Sequence, residues 1–429
     1  MDKDVIGIGD MAMYVPNPKI ELAEVLSMRA AEDPAFERRL RRAIESTNQV
    51  SMRFPEIWED PVTMAAEATA AVLQRPDRSG GAAAESVRYI ATGTETSVDM
   101  SKPISSYVHG VVQRGGTPLR ANVSTFQVQH ACAGGTIALT GVAALLNAAA
   151  VPGETGVVIC SDVARYETPS TAEITQGAGA VAMVIEDNPR LLQLDLRTIG
   201  LYSSDVDDFF RPLGSVTARV KGRYSVDCYN EALEAAFLDH CQRRRATAQE
   251  VLTKTDMLVV HVPFHRMAVT GTMRLLERQL GLDPAGAQQF LERVRFDEGI
   301  EATRVVGNTY SASAYMSLMW NLYNRFKTDG EKIVGQQVLL ASYGSGNTMT
   351  VLGGTVAPSA PEVISRWNLE KVLQSATAAT MDQYHQFIRS STYTMDSGAV
   401  SDGSDVPSGR YYLSGIRDDG YRQYERAPV

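Results

Sequence analysis

The amino-acid sequence predicts an α/β protein in which helices cover sheets of short apolar strands, and three features carry that expectation. β-rich runs alternate with longer helical stretches, one segment (134–150) is apolar nearly all round, and the composition shifts near 186–197. Strand patterns fall at 87–93, 156–161, 180–186, 257–262, 338–342 and 349–354, and helical patterns at 61–73, 134–150, 225–243, 268–280 and 311–326. The segment 134–150 holds Ile137, Ala138, Leu139, Val142, Leu145 and Leu146 and no charge, so it is expected to be enclosed on every side. Asp187-Asn188-Pro189-Arg190 then interrupts a strand, which places a boundary between a first half, 1–190, and a second, 191–429. The halves share an order of elements but no evident sequence repeat. Residues 390–409, rich in Ser, Gly and Asp with Pro407, read as a surface loop, and Arg410-Tyr411-Tyr412-Leu413 returns to a strand pattern.

With 429 residues, 44% hydrophobic and 21% charged, the chain is long enough for two packed cores. A formal net charge of -9 leaves no surplus of Lys and Arg to neutralise a phosphate backbone, so nucleic acid is not expected as a main partner. Asp2, Lys3 and Asp4 precede a short apolar strand without the pattern of a signal peptide. No uncharged apolar stretch long enough to span a membrane is expected, and the expected compartment is the cytoplasm. The four cysteines (Cys132, Cys160, Cys228, Cys241) form no CxxC pair, and no His cluster has ligand spacing, so neither a disulfide framework nor a metal site is expected.

Cys132 lies in Gln129-His130-Ala131-Cys132-Ala133-Gly134-Gly135, between a β-like segment and the uncharged helix. At a helix start, free N–H groups and the positive end of the dipole favour a thiolate, so a lowered pKa and a nucleophilic sulfur are expected. The small residues around it leave room for an acyl group and a backbone oxyanion donor. The bland alternative, a small buried hydrophobe, is kept for Cys160, Cys228 and Cys241.

His261 ends the strand pattern 257–262, where sites of α/β folds gather, and is suited to hold a thioester carbonyl or move a proton; a satisfied structural His is the alternative. Asn308, in Gly307-Asn308-Thr309-Tyr310, is either an amide that orients the same carbonyl or a turn residue. The turn Ser342-Tyr343-Gly344-Ser345-Gly346 either points the Ser345 N–H at an oxyanion or is a plain hairpin. Glu95, just past an apolar strand, is a base if enclosed and unremarkable if exposed. Arg266 either meets a phosphate at the mouth of the site or is solvated.

Gly93-Thr94-Glu95-Thr96-Ser97-Val98-Asp99, Ala131-Cys132-Ala133-Gly134-Gly135, residues 175–183, Asp208-Phe209-Phe210-Arg211-Pro212, His261-Val262-Pro263-Phe264 and Gly307-Asn308-Thr309-Tyr310 occur in this order. Together they resemble the hydroxymethylglutaryl-CoA synthase family over nearly the whole chain. The resemblance implies the thiolase fold, two similar halves in five alternating α and β layers, assembled as a homodimer. It also implies condensation of acetyl-CoA with acetoacetyl-CoA in primary metabolism, on the mevalonate branch that supplies isoprenoids, without metal or redox cofactor. Cys132 then carries the acetyl group, Glu95 removes a methyl proton, His261 and Asn308 hold the acetoacetyl oxygen, and the Cys132 and Ser345 N–H groups face the acyl-enzyme oxyanion. Four positions depart from the family pattern: Ala133 for a common Tyr, Phe210 for a frequent Trp, Arg266 for a Lys expected at CoA phosphates, and Lys221-Gly222 for Asp-Gly. Rival readings are a polyketide β-branching synthase acting on acyl carrier protein, an initiating ketoacyl synthase, which needs no counterpart of Glu95, and a silent thiolase-fold binder of acyl-CoA.

Overall fold

The computed structural model describes residues 5–74, 84–389 and 396–429. The charges at 2–4 and the start of the Ser/Gly/Asp-rich tail, 390–395, lie outside the described residues. The remainder of that tail is not all loop: Gly398–Ala399 pairs with Tyr411–Ile416, which in turn pairs with Arg422–Arg426.

Nine strands form one mixed sheet: β1 (Ile6–Tyr14), β2 (Val87–Gly93), β3 (Ser124–Val128), β4 (Thr155–Ala164), β5 (Gly177–Asp187), β6 (Leu192–Ser203), β7 (Met257–Val260), β8 (Gln337–Gly344) and β9 (Thr348–Val356). Their order is β7-β8-β9-β6-β1-β5-β4-β2-β3. The order shows the duplication that the sequence only suggests. In the first half β2 runs parallel to β4, β4 turns back as β5, and β5 lies antiparallel to β1. In the second half β7 runs parallel to β8, β8 turns back as β9, and β9 lies antiparallel to β6. The two first strands meet only at Gly7↔Gln193 and Ile8↔Leu192. Gly7 permits that meeting, because a Cβ there would lie 2.0 Å from the Leu192 carbonyl oxygen.

Period-two alternation divides the side chains among layers. On β5, Val181, Met183 and Ile185 face a central cluster, whereas Ala180, Ala182 and Val184 face an outer one. The central cluster joins inward residues of both halves to helices α3 (Gly134–Ala149) and α6 (Ser313–Asp329). One outer cluster contains α2 (Pro61–Leu73), and the other contains α4 (Gly222–Arg244) and α5 (His265–Leu280). Helix α1 (Pro34–Thr47) packs against α5. The result is the five-layered thiolase fold.

Helix α3 corrects two expectations. The segment Ala131–Ala149, with mean hydropathy 1.5, is long and apolar enough by length and composition to cross a membrane, although here it is the central helix. Nor is it enclosed on every side: Ala138, Leu139 and Val142 are fully buried, but Leu145 is 39% exposed and Ala144, Asn147 and Ala148 face outward. Absence of charge marked the helix as central without revealing that its far end leaves the sandwich.

The helix comes unusually close to β2, since a Cβ on Gly93 would lie 2.0 Å from the Gly135 nitrogen and 2.2 Å from the Gly134 carbonyl carbon. Backbone cannot yield as a flexible side chain can. Gly93→Ala is therefore expected to destabilise the protein by about 1–3 kcal/mol, read as a lower midpoint in urea unfolding. An unchanged midpoint would show that strand and helix can move apart at no cost.

Candidate active site

The ends of β2, β3, β7 and β8 converge, so Glu95, Cys132, His261 and Ser345 approach one another from separate parts of the chain. Cys132 sits in a tight turn before α3, in which the Ala133 N–H donates to the His130 carbonyl (3.1 Å) and the Gly134 N–H to that of Ala131 (3.3 Å). Ala131 has φ 43°, a left-handed conformation that costs an L-residue about 1–2 kcal/mol. The β8–β9 turn closes over this loop: a Cβ on Gly344 would lie 2.6 Å from the His130 carbonyl oxygen and 2.7 Å from the Ala133 Cβ.

Cys132 Sγ lies 3.8 Å from Glu95 Oε2. Cys132, His261, Asn308 and Ser345 line a single cavity of about 390 Å³, together with Tyr166, Phe209 and Tyr310, whose rings meet edge to face. The Glu95 side chain is only 7% exposed, and its Oε1 accepts from Arg211 Nη2 at 2.9 Å, while Arg211 Nη1 donates to the Glu95 carbonyl at 2.7 Å. The His261 N–H donates to the Ala341 carbonyl at 2.8 Å, continuing the β7–β8 ladder, and the ring Nδ1 lies 2.6 Å from Ser313 Oγ. Asn308 Oδ1 accepts from the Tyr310 N–H at 2.8 Å, so the turn role expected of it is real, and its amide NH₂, beside Tyr166, is the donor it can offer a ligand. Arg266 stands exposed on the first turn of α5, outside the cavity lining, while Phe264 and Met267 beside it belong to that lining.

Burial dominates the electrostatics. Glu95 is pushed up to about 8, first by burial, with Arg211 opposing and Asp162 reinforcing. The Cys132 thiol is raised well above the ordinary range, again first by burial and then by the charges of Glu95 and Asp162. This overturns the expectation of a lowered thiol pKa, because the desolvation of an enclosed sulfur beside two carboxyl groups outweighs the helix end. His261 is lowered to about 3 by burial, so its ring is neutral at neutral pH.

Sequence reasoning missed Asp162, and quoted Arg211 only within a motif without a role in the site. Asp162 Oδ1 accepts from Thr94 Oγ1 (2.8 Å), the Glu95 N–H (2.9 Å), the Thr96 N–H (3.1 Å) and Thr96 Oγ1 (2.7 Å), and its Oδ2 accepts from Ser311 N–H (3.1 Å) and hydroxyl. A lone carboxylate in the apolar run Val157–Ala164 was the available signal, as was an Arg between two Phe residues and a Pro. Asp208 was quoted only within a motif, yet it holds the Ser345 turn by accepting from Tyr343 Oη (2.7 Å) and the Gly346 N–H (2.9 Å). Two of the unusual residues are not part of the cavity lining, although their chain neighbours are: Ala133 is fully buried against the Gly344 turn, and Lys221 pairs with Asp207 where both are more than half exposed.

Fold and cavity together define the class, an acyltransferase of the thiolase fold. Family models described as hydroxymethylglutaryl-coenzyme A synthase N terminal and C terminal match residues 2–189 and residues 192–285 and 277–427, respectively. The chain belongs to the hydroxymethylglutaryl-CoA synthase family. It is 28% identical over 379 residues to a hydroxymethylglutaryl-CoA synthase of Enterococcus faecalis, covering 88% of this chain and 90% of that one. It is 26% identical over 397 residues to a polyketide biosynthesis 3-hydroxy-3-methylglutaryl-ACP synthase of Bacillus subtilis, covering 90% and 88%. Among solved structures, MvaS in complex with 3-hydroxy-3-methylglutaryl coenzyme A superposes with a TM-score of 0.84 at 29% identity, covering 99% of this chain and 100% of that chain.

A buried carboxyl titrating near 8 is mostly protonated at pH 7. Infrared spectra at pH 7 are expected to contain a protonated-carboxyl band that is lost in Glu95→Gln. In Arg211→Met, removal of the positive neighbour raises the pKa further, so the band persists to higher pH. Disappearance of the wild-type band below pH 6 would contradict the dominance of burial.

Proposed function

We propose that the protein condenses an acetyl thioester with acetoacetyl-CoA through an acetyl group carried on Cys132. The observation that carries this reading is the 3.8 Å approach of the Cys132 sulfur to the Glu95 carboxyl at a cavity also lined by His261 and Asn308. In its carboxylate form Glu95 takes the thiol proton as sulfur attacks the acetyl thioester, then passes that proton to the departing thiolate. Once again a carboxylate, it removes a proton from the acetyl methyl group, and a base with a pKa near 8 is far better matched to that step than an ordinary carboxylate. The new carbanion adds to the acetoacetyl ketone, His261 and the Asn308 amide hold the alkoxide, and Glu95 returns the proton. Water then cleaves the thioester at Cys132. The N–H groups of Cys132 and Ser345 are assigned to the acyl-enzyme oxyanion. No metal or redox group enters this sequence.

Arg223 in the cavity lining and Arg266 beside it are assigned to the phosphates of the carrier at the mouth. A homodimer is proposed through the free edge of β3 and the outward apolar face of α3, since an uncovered strand edge beside exposed Leu145 invites pairing. Acyl carrier protein as acceptor carrier is the second reading, supported by the nearly equal likeness to the polyketide relative.

Radiolabelled acetyl-CoA separates these possibilities. Wild type is expected to retain label, and Cys132→Ser to lose it, because a hydroxyl ionises far less readily than a thiol. Glu95→Ala is expected to acquire label slowly but to form product at a rate about 10²-fold lower or less, since the proton-transfer step is lost. Label on wild type with no condensation on either acetoacetyl-CoA or acetoacetyl carrier protein would refute the proposed reaction, and the better of the two acceptors identifies the carrier.

A further inference from the structure

We infer that Ser313 sets the tautomer of His261: its hydroxyl donates to Nδ1, so the ring keeps its proton on Nε2 and meets the cavity as a hydrogen-bond donor. Ser313 Oγ stands 2.6 Å from His261 Nδ1 and 3.3 Å from the Val262 nitrogen. The Val262 N–H can only donate, so one lone pair of Oγ is occupied by it. If Nδ1 were protonated and donated to Oγ as well, the hydroxyl proton would be left without an acceptor at a residue that is completely buried. With the hydroxyl donating to Nδ1, all three groups are satisfied. Nε2 is then the remaining polar atom of a ring that lines the cavity. Burial, which keeps this imidazole neutral at neutral pH, supports the same assignment.

The placement of Ser313 is itself determined by the site. It is the first residue of α6, its N–H donates to the Tyr310 carbonyl, and Ser311 two residues earlier is bound to Asp162. Ser313 is therefore a positioning residue: it touches no substrate but decides which ring nitrogen can donate to one. That consequence rests on the proposed condensation, in which a neutral N–H holds an alkoxide without surrendering its proton; the tautomer itself does not.

The test is nitrogen NMR of protein with ¹⁵N-labelled histidine rings, feasible because the chain has only 6 histidines, with His261 assigned by the signals lost in His261→Gln. Wild type is expected to show a bare Nδ1 and a protonated Nε2. Ser313→Ala should mix the two tautomers and lower condensation turnover about tenfold or more, and Ser313→Thr, which keeps the hydroxyl, should restore both. A protonated Nδ1 in wild type would overturn the inference, as would a ring whose tautomer is unmoved in Ser313→Ala. The expected tautomer in a protein that fails to condense acyl thioesters would instead defeat the proposed reaction and leave the role of Ser313 intact.

Discussion

The site depends on one buried carboxylate. Asp162 is completely enclosed, and an enclosed charge is costly unless its oxygens are occupied by donors. Donors from Thr94, Glu95 and Thr96 fill one oxygen, and Ser311 fills the other. The first three follow β2 in the first half, whereas Ser311 belongs to the second. Meeting the hydrogen-bond demand of Asp162 thus pins the loop that aims Glu95 at Cys132 to the segment that leads through Ser313 to His261. The first strands of the two halves pair at only two residue pairs, and the Asp162 ties join the central apolar cluster in holding the halves together at the cavity.

The same enclosure determines the charge state of the cavity. Burial raises Glu95 and Cys132 and lowers His261, so all three are held toward their neutral forms near pH 7. Arg211 is the cation in direct contact with Glu95, and it limits how far that carboxyl rises. In the proposed reaction charge appears on sulfur, on carboxylate and on alkoxide in turn, within hydrogen-bond reach of groups already oriented. Burial makes each of those contacts stronger than it would be in bulk water, and it favours moving a proton whenever a charge is made.

Around this centre the unusual residues acquire local meanings. Ala133 packs against the Gly344 turn, so its small size matters to the approach of the second half's hairpin rather than to the lining of the cavity. Lys221 and Asp207 form an exposed pair of the kind that contributes little to stability, close to the loop that carries Arg211. Phe210 is 41% exposed while its neighbour Phe209 lines the cavity, so the departure from Trp falls on the outward member of the pair.

Much of the architecture was legible in the sequence because strand and helix patterns report burial, and burial follows from local side-chain periodicity. The strand at Val87–Gly93 and the helix at Pro61–Leu73 were read to the residue, and Cys132, Glu95, His261, Asn308 and Ser345 were singled out from their settings at predicted strand and helix ends. Arg266 stood out for its charge and for its place where the family resemblance expects a Lys, and the fold leaves it exposed beside the cavity. What the sequence could not contain was proximity between residues far apart in the chain. The reversal of the expected thiol pKa, the hold of Asp162 on both halves, the pairing of Arg211 with Glu95 and the contact of Ser313 with His261 all arise from residues brought together only by folding. Desolvation and hydrogen-bond geometry depend on distance in space, and those distances were decided when the two halves of the sheet packed around α3 and α6.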